Sequence, residues 1–526
     1  MLVVRDYEAE RLQIQDTLDA LKTPEERNRL GQFATPTAFA RDILQHAKDL
    51  MPGHAKVRFM DPAIGTGSFF SALLNVFPED QIAAATGFEI DPAFANAARG
   101  LWEGKGLELV GEDFTKAQAP RAEKDRFNLV ICNPPYVRHH HIINGEKARL
   151  HSLAKEASGA ALSGLSGLYC YFLCLSRVWM TNKGLAGWLI PSEFMDVNYG
   201  LPVKRYLLEK VTLEQIHRFD PNDVQFDDSL VSSAVVWFRK AKPAPGHEVL
   251  FTYGGSLSDP HITRRVSLEV LRREPKWTRF PRLEARENFS GLTLKDFFTI
   301  KRGLATGDNK FFVLDAEQIR ERGLPRECFR PILPSPRFLK TEEVCTDENG
   351  VPLIERPLFL LDSRLPEDEI KERFPALSAY LREGKEKGVT DRYLCRHRSP
   401  WYAQENREAS SFVCTYIGRS DKKGRRPFRF ILNHSQATVA NSYLVLYPKA
   451  LLQRALSETP SLKNDIWKVL NGISAQSMLD EGRVYGGGLH KMEPKELGNV
   501  PADALADLMK ISHSEGKQKD LYGVLP

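Results

Sequence analysis

The sequence predicts an α/β fold, an open and largely parallel sheet with helices on both faces, followed by a second domain of α+β type. Three observations carry this. From Val57 to about Lys240, short apolar runs alternate with amphipathic stretches of helical period. A glycine turn, Gly65-Thr66-Gly67, joins the first of those runs to an apolar helical stretch. Beyond the break Ala241-Lys242-Pro243-Ala244-Pro245-Gly246 the alternation fades into short β-type runs, prolines and basic clusters.

The elements follow in order. Arg5 to Leu30 is rich in Glu, Leu, Gln and Arg and reads as an exposed helix resting on a neighbour. Val57 to Met60 is a strand, and Ser68 to Val76 the helix after the glycine turn. Ala83 to Ile90 is the second strand, with a helix from Pro92 to about Leu101. Asn128 to Cys132 is a later strand, Leu168 to Met180 a helix, and Leu185 to Ile190 a strand. The expected layout is a helical extension over 1–30, an α/β domain over 31–245, a linker over 246–290 and a second domain over 291–526.

Composition excludes several classes. The 526 residues are 42% hydrophobic and 27% charged, a globular mix, and the net charge of +5 does not by itself announce nucleic acid. Seven cysteines without a C-x-x-C pair argue against a disulfide framework or zinc ribbon and for reduced thiols. Cys170 and Cys174, four apart in an apolar stretch, read as buried small side chains. No run is apolar and long enough to span a bilayer, and no signal-peptide pattern opens the chain, so a soluble cytoplasmic protein is expected.

The run Asp61-Pro62-Ala63-Ile64-Gly65-Thr66-Gly67 lies where open α/β sheets bind ligands, beyond the carboxyl end of a strand. Glycine there lets backbone approach a ligand. Glu89 ends the next strand and is placed to accept both hydroxyls of a ribose, which indicates a nucleoside-containing cofactor. A dinucleotide fingerprint would need a third glycine where Phe70 stands. S-adenosylmethionine carries no phosphate, so polar groups and backbone from Asp61 to Ile64 suit its amino-acid moiety. Asp113, after the third strand, is placed to accept from an adenine amine, with Phe114 stacking on that ring.

Asn133-Pro134-Pro135-Tyr136 directly follows the strand ending at Cys132 and is the most specific signal in the chain. An adenine amine is a poor nucleophile because its lone pair is delocalised into the ring. The Asn133 side-chain oxygen and the Pro134 carbonyl can each accept one N–H of such an amine, with proline fixing φ to hold the carbonyl. Two acceptors localise the lone pair toward an electrophilic methyl, which is catalysis by positioning and preorganised electrostatics. Tyr136 offers an aromatic face for the target ring. A base inside a duplex cannot reach such a pocket without being flipped out.

Taken together these residues resemble the TaqI-like γ class of N6-adenine DNA methyltransferases of type II restriction-modification systems, by ordered motifs over about Gly31 to Phe238. The resemblance implies a seven-stranded mixed sheet of the S-adenosylmethionine-dependent methyltransferase type with a C-terminal DNA-recognition domain. Gly31-Gln32-Phe33-Ala34-Thr35-Pro36 resembles the first cofactor motif of that class, which sets Thr35 against the methionine end. Pro135 would also touch the cofactor, and Phe226, in Asp223 to Val236, is matched to the ring that stacks on the flipped adenine. Ile300 to Val313 is similar to the start of the recognition domain, and Arg483 to Leu489 to another part of it. The motif order leaves no room for a recognition domain before the catalytic run, so residues 291–526 are expected to supply it. The implied partners are double-stranded DNA and, in function, a separate cognate endonuclease, with the enzyme itself a monomer.

Two clusters in the second half mix cations and rings: Arg392, Arg396, His397, Arg398, Trp401 and Tyr402, then Arg419, Lys422, Lys423, Arg425, Arg426, Phe428, Arg429 and Phe430. Phosphate contact and a solvated surface are equal readings for them. His139-His140-His141 cannot all face one ion, and Ser158 to Gly167 reads as a mobile glycine-rich loop over the site. Protein-glutamine methyltransferases use a similar run but leave the second half unexplained, and RNA methyltransferases remain an alternative. A non-catalytic DNA-binding subunit would show erosion at Asn133, Tyr136, Glu89 or Asp113, and all four stand.

Overall fold

The computed structural model describes residues 2–220, 233–281, 291–419, 426–485 and 489–509. The chain forms two compact units, Met1–Ala285 with Tyr485–Gly487, and Arg286–Val484 with Gly488–Pro526. In the first unit the strands are β1 (Val57–Asp61), β2 (Ile82–Phe88), β3 (Leu107–Val110), β4 (Phe127–Cys132), β5 (Met180–Pro191), β6 (Thr212–Arg218), β7 (Ser233–Arg239), β8 (Glu248–Gly255) and β9 (Pro260–Ser267). They form one sheet in the order β3-β2-β1-β4-β5-β7-β6-β8-β9. The pairs from β3 to β5 are parallel, and β7 runs antiparallel to both β5 and β6.

Each strand feeds two cores because successive side chains point to opposite faces. In β4, Leu129 and Ile131 join one apolar cluster, and Val130 and Cys132 the other. The sheet therefore has nine strands where seven were expected. The extra pair comes from residues 246–290, read above as a linker. Val249, Phe251 and Tyr253 alternate as buried residues in β8, which pairs with β6, and β9 closes the edge with exposed Arg264 and Arg265. Charged side chains on an outermost strand discourage further pairing. The proline-rich break at 241–246 is the connection from β7 to β8 and no domain boundary.

The N-terminal extension forms α1 (Leu2–Ala20) and α2 (Pro24–Leu30). Arg11 is 1% exposed, so the face that α1 packs against its neighbour carries a buried polar side chain. The second unit mixes helices with two main sheets, as an α+β domain should. One runs Phe298–Arg302, Tyr443–Pro448, Phe412–Thr415, Phe430–Asn433, Glu343–Val344; the other Val313–Asp315, Leu358–Leu361, Phe329–Leu333, Thr438–Val439. Gly303 crosses the backbone at Ala440 so closely that an added Cβ would stand 2.2 Å from the Ala440 carbonyl oxygen.

A polar chain runs from a partly buried helix residue into the first unit's sheet. His46 Nε2 lies 2.8 Å from Gln215 Oε1, Gln215 Nε2 donates to Thr252 Oγ1 at 3.2 Å, and His217 Nδ1 lies 2.9 Å from the same hydroxyl. Burial, with His46 adding to it, pushes the His217 imidazole down to about 3. A histidine lowered on folding contributes stability that is complete above its unfolded value, ~6.5, and is lost as pH falls below it. We expect denaturant midpoints to drop on acidification, with His217 accounting for about 2 kcal/mol between pH 6.5 and 5 at ~1.4 kcal/mol per pH unit. His217→Asn should flatten that slope, and an unchanged slope would show that His217 is not its source.

Candidate active site

Three strand ends converge on the sequence-predicted cofactor residues. β1 ends at Asp61, and the turn after it is closed by Ile64 N–H donating to the Phe88 carbonyl (2.9 Å) and Gly67 N–H to that of Ile64 (2.9 Å). Gly67 sits at φ 93°, and a Cβ there would stand 2.3 Å from Trp102 Nε1, which donates to the Thr66 carbonyl at 2.8 Å. Ile64 turns inward against Gly87, so this residue and the buried Pro62 offer the site backbone only, while Ala63 is half-buried. Asp61 is buried and accepts from Ala63 N–H at 3.0 Å. Burial pushes its carboxyl up to about 7 against that hydrogen bond, and the charge of Glu89 adds to the rise. Glu89 accepts from Gly65 N–H (3.0 Å) and Asp91 N–H (2.8 Å), and burial raises its carboxyl too.

Asp113 is half-buried at the next strand end, where its Oδ1 accepts from the Thr115 amide (2.9 Å) and hydroxyl (2.8 Å). Phe114 departs from expectation. Its ring is 3% exposed and enclosed by Phe88, Phe172 and Trp179 at centroid distances of 5.4, 5.3 and 5.6 Å. The short turn after Asp113 aims it into the core, where it supports the site instead of presenting a stacking face. Ile90, passed over in the sequence, stands 65% exposed between Glu89 and Asp91. Its signal was an apolar side chain in a strand-end turn beside an acid.

The run Asn133-Pro134-Pro135-Tyr136 is tied to the segment 31–35. Asn133 Nδ2 donates to the Phe33 carbonyl and to Thr35 Oγ1, both at 3.1 Å. A backbone carbonyl can only accept, so the amide nitrogen must face it. Asn133 Oδ1 is thereby forced to the other side, buried and with no hydrogen-bond partner among the described residues. Tyr136 N–H donates to the Gly31 carbonyl at 3.1 Å. Gly31 is at φ 66°, and a Cβ there would meet the Tyr136 nitrogen at 2.3 Å, so glycine alone fits. Thr35 is buried, and its carbonyl accepts from Ser68 Oγ at 2.6 Å, which links the segment to the helix after the glycine turn.

Tyr136 is 8% exposed; its hydroxyl donates to the Leu189 carbonyl (3.2 Å) and its ring lies 5.7 Å from that of Phe33. Pro134 is buried and Pro135 half-buried beside it. Phe226 lies outside the described residues, as do Gly486 to Gly488. In the stretch Ser158 to Gly167, Ala160, Leu162 and Ser166 are buried while Gly164 and Leu165 are exposed, and the following Leu168 N–H donates to the Val137 carbonyl at 2.9 Å.

In the second unit much of the basic and aromatic character is structural. Arg398 donates to the carbonyls of Thr306 (2.7 Å) and Ala305 (2.6 Å), and Arg429 to those of Pro336 (2.9 Å) and Leu339 (3.0 Å). Arg392 pairs with Asp308 at 3.0 Å, and Tyr402, Phe428 and Phe430 are buried. Arg396 and Arg419 remain exposed, while Lys422, Lys423 and Arg425 lie outside the described residues.

Residues 86–225 match the family model of the Eco57I restriction-modification methylase, and residues 276–521 that of the C-terminal domain of type II methyltransferase M.Eco57I. The chain is 26% identical over 490 residues to type II methyltransferase M.AccI of Acinetobacter calcoaceticus, covering 90% of this chain and 85% of that one. It is 27% identical over 492 residues to M.XamI of Xanthomonas campestris pv. amaranthicola, covering 91% and 86%. Its fold is like that of the type IIL restriction-modification enzyme MmeI, solved in complex with DNA, at TM-score 0.55 and 14% identity over 84% of this chain and 66% of that one.

Glu89 faces Asp61 and Asp91, of which Asp91 is paired with Lys22, and in the role expected for it, accepting two ribose hydroxyls, it must be ionised. Because its carboxyl is raised, affinity for S-adenosylmethionine should fall on acidification, beginning above the ordinary carboxylate range. Glu89→Gln should weaken binding by ~1.5–3 kcal/mol, on the order of tenfold to a hundredfold, and remove this pH dependence. Titration calorimetry across pH checks it, and a Gln variant with wild-type affinity would exclude the role.

Proposed function

We propose that this chain, related over nine-tenths of its length to type II methyltransferases, methylates N6 of a flipped-out adenine within a specific duplex DNA sequence, using S-adenosylmethionine. One observation carries the reading: the buried, unpartnered Asn133 Oδ1, held in that orientation by Phe33 and Thr35. A buried acceptor without a donor costs about 1–3 kcal/mol, and such a cost is retained where a ligand supplies the missing partner. The residues at the strand ends fit the cofactor: a backbone turn opened by Gly65, a carboxylate at Glu89 for a ribose, and a further acid at Asp113.

The cofactor, when bound, supplies a methyl group on a sulfonium, an electrophile that needs only a nucleophile in line. The protein's part is to create that nucleophile. Asn133 Oδ1 and the Pro134 carbonyl accept the two N–H groups of the target amine, drawing its nitrogen toward tetrahedral geometry. Thr35 and Phe33 keep the Asn133 amide from rotating, so its acceptor is in place before the base arrives. Once methylated, the nitrogen is acidic and releases its proton to solvent, so no strong side-chain base is required. Phe226 and Tyr136 are assigned to the target ring and Pro135 to the cofactor.

The second unit is assigned to DNA recognition, with exposed Arg396 and Arg419 as phosphate contacts. Among the described residues no helix is long and apolar enough to cross a membrane. We assign the enzyme to the cytoplasm as a monomer that protects DNA from a separate cognate endonuclease.

Transfer of labelled methyl to duplex DNA, followed by nucleoside analysis, tests this. N6-methyl-2′-deoxyadenosine is the expected product; N4-methyl-2′-deoxycytidine would overturn the choice of base, and label in protein or RNA alone would overturn the function. Asn133→Ala should reduce turnover by about 10²–10³-fold while leaving cofactor binding within about threefold. Undiminished turnover would remove Asn133 from the mechanism.

A further inference from the structure

The N-terminal extension makes contacts that packing alone does not call for. Arg11, on α1, is 1% exposed and fully engaged. Its guanidinium donates to Glu8 (2.8 and 2.6 Å), to Thr66 Oγ1 (3.1 Å) and to Thr37 Oγ1 (3.3 Å). Thr66 Oγ1 in turn donates to Gln15 Oε1 of the same helix at 2.8 Å. Thr66 stands between the two glycines of the cofactor turn, where the backbone has little stiffness of its own. With its hydroxyl held by α1 and its carbonyl by Trp102, the turn is fixed from both sides. Tyr7 of α1 also stacks on Trp102, with centroids 6.2 Å apart.

A second tie leaves the turn between α1 and α2. Lys22 Nζ reaches Asp91 at 2.5 Å and Gln32 Oε1 at 2.8 Å. Gln32 Nε2 donates to Asp91 at 3.4 Å, and Asp91 N–H donates to Glu89. Both cofactor turns are thus held by residues that precede the first strand. A buried charge in place of an apolar side chain adds little net stability, because desolvation offsets the attraction. Its gain lies in orientation, and each tie here ends on a residue of the cofactor cradle.

We propose that Arg11 and Lys22 are positioning residues for the cofactor, one for the glycine turn and one for the ribose-binding carboxylate. Through them the N-terminal extension sets cofactor affinity, leaving affinity for DNA untouched. The proposal rests on the reading of this cradle as an S-adenosylmethionine site. It is tested on the full chain by calorimetric titration with S-adenosylmethionine in the absence of DNA, alongside melting temperature and the affinity for duplex DNA.

Lys22→Met, at a partly exposed pair, should melt within about 2 °C of the wild type yet bind S-adenosylmethionine about tenfold more weakly, with DNA affinity unchanged. Lys22→Arg should retain wild-type affinity. Arg11→Met should bind about tenfold more weakly at a temperature where circular dichroism shows it folded. Folded Lys22→Met and Arg11→Met proteins that bind as the wild type does would overturn the proposal. So would a loss of DNA affinity and melting temperature in step with cofactor affinity, since that marks general destabilisation. A folded wild type that binds no S-adenosylmethionine would instead overturn the reading of the cradle, and this proposal with it.

Discussion

The orientation of one amide group organises this site. Asn133 directly follows a central strand, and its nitrogen is committed to the Phe33 carbonyl and the Thr35 hydroxyl. That arrangement needs residues 31–35 to pass close to the run, which in turn needs Gly31 at positive φ against the Tyr136 amide. Tyr136 is fixed by Leu189 of β5, and Thr35 by Ser68 after the glycine turn. A free acceptor at Asn133 Oδ1 is therefore the sum of constraints drawn from four separate parts of the chain.

Around it, charge is arranged at a cost. Burial raises the carboxyl groups of both Asp61 and Glu89, with the charge of Glu89 adding to the rise at Asp61 and that of Asp91 to the rise at Glu89. Backbone amides of Ala63, Gly65 and Asp91 offset part of that cost. The turns that carry these groups are also bonded from outside, by Arg11 and Gln15 at Thr66 and by Lys22 at Asp91. The extension that composition rendered as an exposed helix is the layer on which the cofactor turns rest.

The second unit shows why basic composition is a weak guide to contacts. Arg398 and Arg429 each bridge backbone carbonyls of loops, Arg392 pairs with Asp308, and the rings of Phe428 and Phe430 fill a core. A guanidinium with five donors is as suited to closing a loop as to holding a phosphate. Arg396 and Arg419 are left exposed by the fold, and nothing in their local sequence separates them from Arg398 and Arg429.

By itself the sequence determined what is local. Strand and helix order around Gly65 to Gly67 and Asn133 follows from apolar periodicity and from glycine and proline punctuation, which act over a few residues. It also placed Glu89, Asp113 and Asn133 at strand ends, because side-chain chemistry and position along a strand are both written in the chain. Tertiary structure alone decided which way Phe114 points, that residues 248–267 add two strands, that Arg11 is buried, and that Asn133 Oδ1 is left without a donor. Those outcomes depend on pairs such as Asn133 with Phe33 or Arg11 with Thr66, separated by 100 and 55 residues, and no periodicity reports a contact at that range.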